Sequence, residues 1–340
     1  MNLSFCRWLH ISLIAFSILT SSAAFMNADE RSAQTRFRIL IIKTRDIPFY
    51  APAVQGLIDG LKSKGYRSRE RVDLKTIALT GKQDADRALV EAQLAAKPDL
   101  VVTLGTDATR LTADQKPAMP VLFAMVLDPV RLGVVKSLES PGATFTGITI
   151  PVSPGKQLES LLQAAPSVHR IGLLYTEQDP TSLAFLADAE VDASRLHVEL
   201  ISVPVKSNQT AREALARISP TPDAIWLLPD PASSGPQALQ ESLDFAAAHR
   251  LPVLGTSSGS VRSGALLALS ANLEDQGSSA AEMAVRILEG TETPAQMRVR
   301  GPRRTVLTLN LAVSHRLGIV IPKEVLHLAD EVVEAEQEDK

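Results

Sequence analysis

The chain has 340 residues, 45% of them hydrophobic, 21% charged and 4% aromatic, with 35 basic against 38 acidic side chains and a formal charge of -3. A length beyond the usual domain of about 100 to 200 residues predicts two domains, and a hydrophobic share near the globular average excludes a disordered or collagen-like chain. The slightly acidic balance offers polyanions no electrostatic attraction, so nucleic acid is not an expected partner.

The first residues have the form of an export signal. Arg7 supplies the positive charge, an apolar run spans residues 9–19, and Ser22-Ala23-Ala24 supplies small residues for cleavage after Ala24. An apolar core of about a dozen residues is short for a membrane span, which needs roughly 20; the competing reading is an uncleaved anchor. Cys6 is the one cysteine and lies before the apolar run, where it cannot carry a lipid anchor. The expected mature protein is therefore periplasmic, monomeric and without disulfides or a cysteine-based zinc site. No cofactor is expected. Residues 25–36 are polar and without pattern, as in a linker.

A regular alternation follows. Residues 38–43 (RILIIK) read as a short buried strand and 51–64 as a helix ending at Gly65, with strands at 72–79, 99–104 and 121–125 separated by helices at 83–96 and near Ala108. Strands alternating with helices predict parallel βαβ units. The pattern then restarts. Residues 169–175 answer 37–43, 198–203 answer 72–79, 222–226 answer 98–102, and 251–254 answer 119–122, in unbroken order. The fold class expected is α/β: two Rossmann-like, doubly wound lobes with a ligand cleft between them. Residues 146–151 read as a strand-like crossing, 265–271 and 306–309 as further strands, and 273–288 as a helix. The expected division is lobe 1 at 37–148 with about 272–292, and lobe 2 at 152–268 with about 303–332. Residues 333–340 are expected as an acidic tail, and the stretch from Asp330 as a helix end fraying into solvent.

In doubly wound sheets ligands sit outside the carboxyl ends of the strands, so the loops there hold the candidate site residues. Lobe 1 offers Thr44, Asp46 and Tyr50 after its first strand, Gly105 and Thr106 after the third, and Asp128 after the fourth. Lobe 2 offers Gln178, Thr181 and Ser182, then Asp230, then Ser257. Hydroxyls at helix N-termini suit a carboxylate, and Asp46, Asp128, Asp179 and Asp230 suit an ammonium group, a combination that fits a zwitterion. The competing reading is local: Ser, Thr and Asp before a helix are ordinary caps. Aromatics are sparse on these loops, with Phe49 and Tyr50 the ones near the mouth, which favours an amino acid over a sugar.

Gly255-Thr256-Ser257-Ser258-Gly259 matches the nucleophile elbow of serine hydrolases and follows a strand. The elbow also requires a helix directly after the serine. Residues 259–264 read as a loop, and the later His315 and His327 lie in helical surface stretches, which leaves a hydrolase as a remote alternative. The basic cluster Arg298, Arg300, Arg303 and Arg304 reads as a solvated connection.

Residues 123–130 (FAMVLDPV), 137–147 (SLESPGATFTG) and the ending with Leu309-Asn310-Leu311, Leu317-Gly318, Ile321-Pro322 and Ala329-Asp330-Glu331-Val332 resemble a family of bacterial ABC transporter substrate-binding proteins. The resemblance implies the type 1 periplasmic binding fold, no catalytic activity, a small-molecule ligand and an inner-membrane permease as partner. Better-understood members bind aromatic amino acids. Gly105-Thr106, Thr181-Ser182 and Pro229-Asp230 match family loops, whereas Ile47-Pro48-Phe49-Tyr50-Ala51 and Thr176-Glu177-Gln178-Asp179-Pro180 depart from the family pattern. The expected function is an exported solute-binding protein that closes about a hinge near residues 147–151. A periplasmic sensor presenting its bound form to a receptor kinase would use the same cleft.

Overall fold

The computed structural model describes residues 36–206, 209–219 and 221–334; the export-signal segment, the linker through residue 35 and the tail beyond Glu334 lie outside the described residues. The first sheet is built from β1 (Phe37–Lys43), α1 (Ala51–Ser63), β2 (Val72–Ala78), α2 (Gln83–Ala95), β3 (Leu100–Leu104), α3 (Thr106–Asp114), β4 (Val121–Val126) and β5 (Phe145–Thr149), with strand order β2-β1-β3-β4-β5 and every pairing parallel. A parallel sheet must be covered on both faces. Alternate residues of β1 show this directly: Ile39 and Ile41 pack toward α1, while Leu40 and Ile42 pack with Val90, Leu94 and Leu111 of α2 and α3.

The second half comprises α4 (Pro154–Ala164), β6 (Arg170–Thr176), α5 (Pro180–Arg195), β7 (Glu199–Val205), α6 (Ala211–Leu215), β8 (Ala224–Trp226), α7 (Pro231–Ser234), α8 (Pro236–His249), β9 (Val253–Gly255), α9 (Ser258–Arg262) and β10 (Leu267–Ala271). The chain continues through α10 (Leu273–Leu288), β11 (Thr305–Asn310), α11 (Leu311–Leu317), α12 (Lys323–Leu328) and β12 (Glu331–Val333). The sheet runs β12-β11-β10-β9-β8-β6-β7. Its stretch β7-β6-β8-β9-β10 repeats the order of the first sheet strand for strand, so the repeat read in the sequence is a repeat of topology. β11 then adds antiparallel to β10, and β12 parallel to β11.

The helix α10 follows a lobe-2 strand yet belongs to the first sheet's core, with Ala280, Ala281, Met283 and Ala284 buried beside Leu57 and Leu61 of α1. Glycine makes this approach possible. A Cβ on Gly56 would stand 2.1 Å from the Glu274 carbonyl oxygen, and one on Gly277 2.0 Å from that of Ala53.

The structure corrects two expectations. The stretch from Asp330 is not a fraying helix end: residues 331–333 form β12, anchored by Asp330, whose carboxylate accepts the Leu307 N–H at 2.8 Å, and by the Arg262–Glu331 ion pair at 3.1 Å. Residues 259–262 are not loop, because α9 follows Ser257 immediately and only 263–264 form a turn. Arg298, Arg303 and Arg304 are exposed, as a solvated connection should be, and two members of the cluster also tie that connection down. Arg300 exchanges backbone hydrogen bonds with the end of β5, and Arg303 donates to Asp275 and Glu282 of α10, both at 2.8 Å. Those two carboxylates drive the Arg303 guanidinium further above its already high ordinary pKa.

Candidate functional site

In both sheets the strand order reverses direction beside the first strand of the repeat, and the crevice at that switch point is where open α/β sheets bind ligands. In lobe 2 the switch point lies between β6 and β8. Asp230, 2% exposed, follows β8 and reaches the end of β6: its carboxylate accepts the Thr176 N–H at 2.9 Å, the Thr176 hydroxyl at 2.6 Å, the Ala232 N–H at 2.6 Å and the Ser182 hydroxyl. The single Ser182 hydroxyl proton is shared between Asp230 and Asp179, and Asp179 caps α5 by accepting the N–H groups of Thr181 and Ser182. One carboxylate thus fixes the mouth of β6, the first turn of α5 and the start of α7, as a buried charge saturated with donors can.

Against this knot lies a cavity of about 310 Å³, a size suited to a small solute. Leu127 and Asp128 line it from the first lobe; Pro151 to Pro154 line it from the crossing. From the second lobe come Thr181, Ser182, Ala184, Phe185 and Asp188 of α5, with Leu228, Pro229 and Asp230. The α5 residues follow helical spacing, so one stripe of that helix faces the cavity. Phe185 is held by a tilted ring contact with the buried Trp226, 5.7 Å between centroids. The Trp226 indole donates to Gln157, whose amide donates to the Val152 carbonyl at 2.8 Å, tying the crossing to the lobe-2 core. The lining is apolar with three aspartates and contains no Lys, Arg or His. Among the described residues no group of three His, Cys, Asp or Glu side chains is placed to hold a metal ion.

Asp128, Thr181, Ser182 and Asp230 are thereby brought to one cavity. Thr44, Tyr50, Gly105 and Thr106 form a separate knot at the switch point of lobe 1. The Thr44 hydroxyl donates to the Leu104 carbonyl and accepts the Ala108 N–H, both at 3.1 Å, and so caps α3. Tyr50 is buried beside it; burial pushes its phenol pKa up, opposed by the hydrogen bond with Thr44. Gly105 takes φ +95°, and the Thr106 hydroxyl accepts the Leu127 N–H at 3.5 Å, linking this knot to the cavity wall. Asp46 is exposed and paired with Lys43 at 2.7 Å, and Gln178 is exposed. Ser257 caps α9, with the Ser260 N–H at 3.4 Å. The helix that the elbow needs is thus present, but His315 and His327 are exposed on α11 and α12.

The sequence reading passed over Phe185, Asp188, Leu228 and Val152 to Pro154. The signal for the first two was available: residues 181, 184, 185 and 188 share one helical face directly after a strand's carboxyl end.

Leu127 and Asp128 are aimed by an irregularity in β4. Met125 adopts φ +61°, and the register with β5 shifts between Phe123 and Val126. Such a bulge re-aims the chain beyond it, and a non-glycine residue in the left-handed region costs of order 1–3 kcal/mol that the surrounding packing must offset.

Two α/β lobes repeating one strand order, with a lined cavity where their loops meet, define a ligand-binding protein of the type 1 periplasmic class. The chain belongs to the ABC transporter substrate binding protein family, whose model matches residues 41–333; members of this family are substrate-binding proteins rather than enzymes. It is 24% identical over 243 residues to a tyrosine-binding protein of Clostridioides difficile strain R20291, covering 72% of this chain and 70% of the relative. Among solved structures, the fold is shared with an ABC domain in complex with L-Trp from Streptococcus pneumoniae, at TM-score 0.75 and 24% identity, covering 88% of this chain and 100% of that one. It is also shared with a ligand-free, open substrate binding protein with adhesive properties from Clostridium difficile, at TM-score 0.76 and 23% identity, again covering 88% and 100%.

Proposed function

We propose that the protein is the exported, monomeric solute-binding component of an ABC importer, with lobe 1 at residues 37–148 plus about 272–292 and lobe 2 at 152–268 plus about 303–332. It captures a small amine-bearing solute, an amino acid or a close analogue, and delivers it from the periplasm to an inner-membrane permease. The observation that carries the ligand class is the cavity lining: apolar walls with Phe185, no Lys, Arg or His, and the exposed carboxylate of Asp188, Asp128 being paired with Arg131 and Asp230 with Thr176, Ser182 and Ala232. Carboxylates in an apolar wall attract an ammonium group and disfavour an anion. The tyrosine-binding relative and the L-Trp complex support an aromatic amino acid as the first ligand to try. Closure is a population shift in which a ligand touching both lobes favours the shut state.

Isothermal titration calorimetry of the purified protein against an amino-acid panel tests this reading. Saturable binding of an amine-bearing ligand is expected. Binding confined to neutral sugars or to anions would overturn the ligand class, and N-terminal sequencing of the exported protein that begins at Met1 would overturn cleavage after Ala24.

A further inference from the structure

One side chain crosses between the lobes at the rim of the cavity. Arg131 lies in the turn after β4, and its guanidinium donates to the carbonyl oxygen of Pro180, the first residue of α5, at 2.8 Å. The same guanidinium is held from its own lobe by Asp128, with Nε 2.9 Å from Oδ2. Asp128 in turn is fixed by the N–H groups of Val130 and Arg131 on Oδ1, at 3.1 and 3.0 Å. The turn is further braced by backbone bonds from Leu132 to Asp128 and from Val134 to Pro129. The fork is therefore pre-set in lobe 1, and only one hydrogen bond needs to form or break for it to engage lobe 2. The flanking residues Asp128 and Thr181 both line the cavity, so the contact bridges the two lobes beside it.

We propose that Arg131 is an inter-lobe clasp that holds the cavity shut and slows ligand exit. This rests on the cavity being the ligand site. The chemistry fits a device that opens readily. A cation at a helix N-terminus is opposed by the helix dipole, and here Asp128 neutralises it. The guanidinium is also half exposed, so the bond is screened by solvent. A contact held in such balance shifts the open-to-closed population without locking it.

The test uses spin labels at Lys64→Cys and Glu190→Cys, exposed positions on opposite lobes of a chain whose one cysteine is Cys6, itself replaced by serine. Electron–electron distance measurements are made on the ligand-free full chain carrying Arg131, R131Q or R131K, with stopped-flow dissociation of whichever amino acid the calorimetry finds. R131Q is expected to broaden the distance distribution toward larger separations and to speed dissociation about three- to tenfold, as loss of one solvent-screened charged hydrogen bond would. R131K, which keeps the charge but not the fork, should fall between. An R131Q distribution superimposable on that of the parent overturns the clasp, whether or not dissociation changes. If the parent binds no amino acid, the function proposed above fails while the distance arm still decides the clasp.

Discussion

The carboxylate of Asp230 accepts both the backbone N–H and the side-chain hydroxyl of Thr176, at 2.9 and 2.6 Å, joining the ends of β8 and β6 beneath the cavity. Replacing it with asparagine turns one acceptor oxygen into an NH₂ donor that meets a backbone N–H whichever way the amide is turned, that of Thr176 or that of Ala232. Asp230→Asn is expected to destabilise lobe 2 by about 2 kcal/mol, since a buried group left unsatisfied costs about 1–3 kcal/mol, and to weaken ligand binding at least about tenfold. Thermal unfolding monitored with calorimetric titration checks both; unchanged melting with normal affinity would contradict the central role of this group.

Phe185 and Asp188 share the cavity face of α5 but differ in burial, and their effects should separate accordingly. Asp188 is exposed, so Asp188→Asn should leave the melting temperature within about a degree and lower affinity for an amine ligand several-fold, roughly what a solvent-screened charge contributes. Phe185→Ala removes an apolar wall and the contact with Trp226, and should cost affinity about tenfold or more with a measurable loss of stability. Paired calorimetry and differential scanning fluorimetry distinguish the two signatures.

Gly105 is required by geometry rather than by chemistry. At φ +95° any L side chain is strained, and a Cβ there would meet the Thr44 hydroxyl at 2.6 Å and the Tyr50 hydroxyl at 2.9 Å. Gly105→Ala is expected to destabilise by about 1–3 kcal/mol through strain and displacement of that knot. Chemical denaturation with urea reads it directly, and a midpoint unchanged from the parent would refute the steric argument.

Asp223 joins the starts of β6 and β8 by accepting the N–H groups of His169 and Arg170 and pairing with the Arg170 guanidinium at 3.1 Å. Burial pushes its carboxyl up, but the Arg170 guanidinium and the two backbone donors outweigh this and hold it below the ordinary range. A folded-state pKa below the unfolded value contributes stability that is fully present above about pH 4 and is lost as pH falls through the folded value. Asp223→Asn should therefore lose stability at neutral pH, by about 1 kcal/mol, and show a smaller further loss on acidification than the parent. Urea midpoints at pH 7 and pH 3 measure the difference.

The strands of both lobes were legible because each is a short apolar run followed by a helical stripe, and 273–288 was read at its observed limits. Less legible was where long-range pairing decides. Residues 331–333 are acidic and short, and only their pairing with β11 makes them a strand. The residues read as cleft loops lie at strand ends and in the first turns of helices, with Thr106, Thr181 and Ser182 already helical, and their side-chain partners follow from packing. Thr44 and Asp128 look alike as cap residues after a strand, but one is consumed capping α3 and the other stands at the cavity wall holding Arg131. Tyr50, which the sequence marks as a mouth residue, turns inward because the short turn at Pro48–Tyr50 swings its ring under Gly105, leaving Phe49 outside.

The placement of α10 has a consequence for biosynthesis. The first sheet is written by residue 149, but the helix that covers one of its faces is not translated until residue 288, after most of the second lobe. The second sheet waits longer, for β12 at residue 333. Neither core can close before these residues have been translated, and a chain stopped before Leu288 lacks the means to complete either lobe.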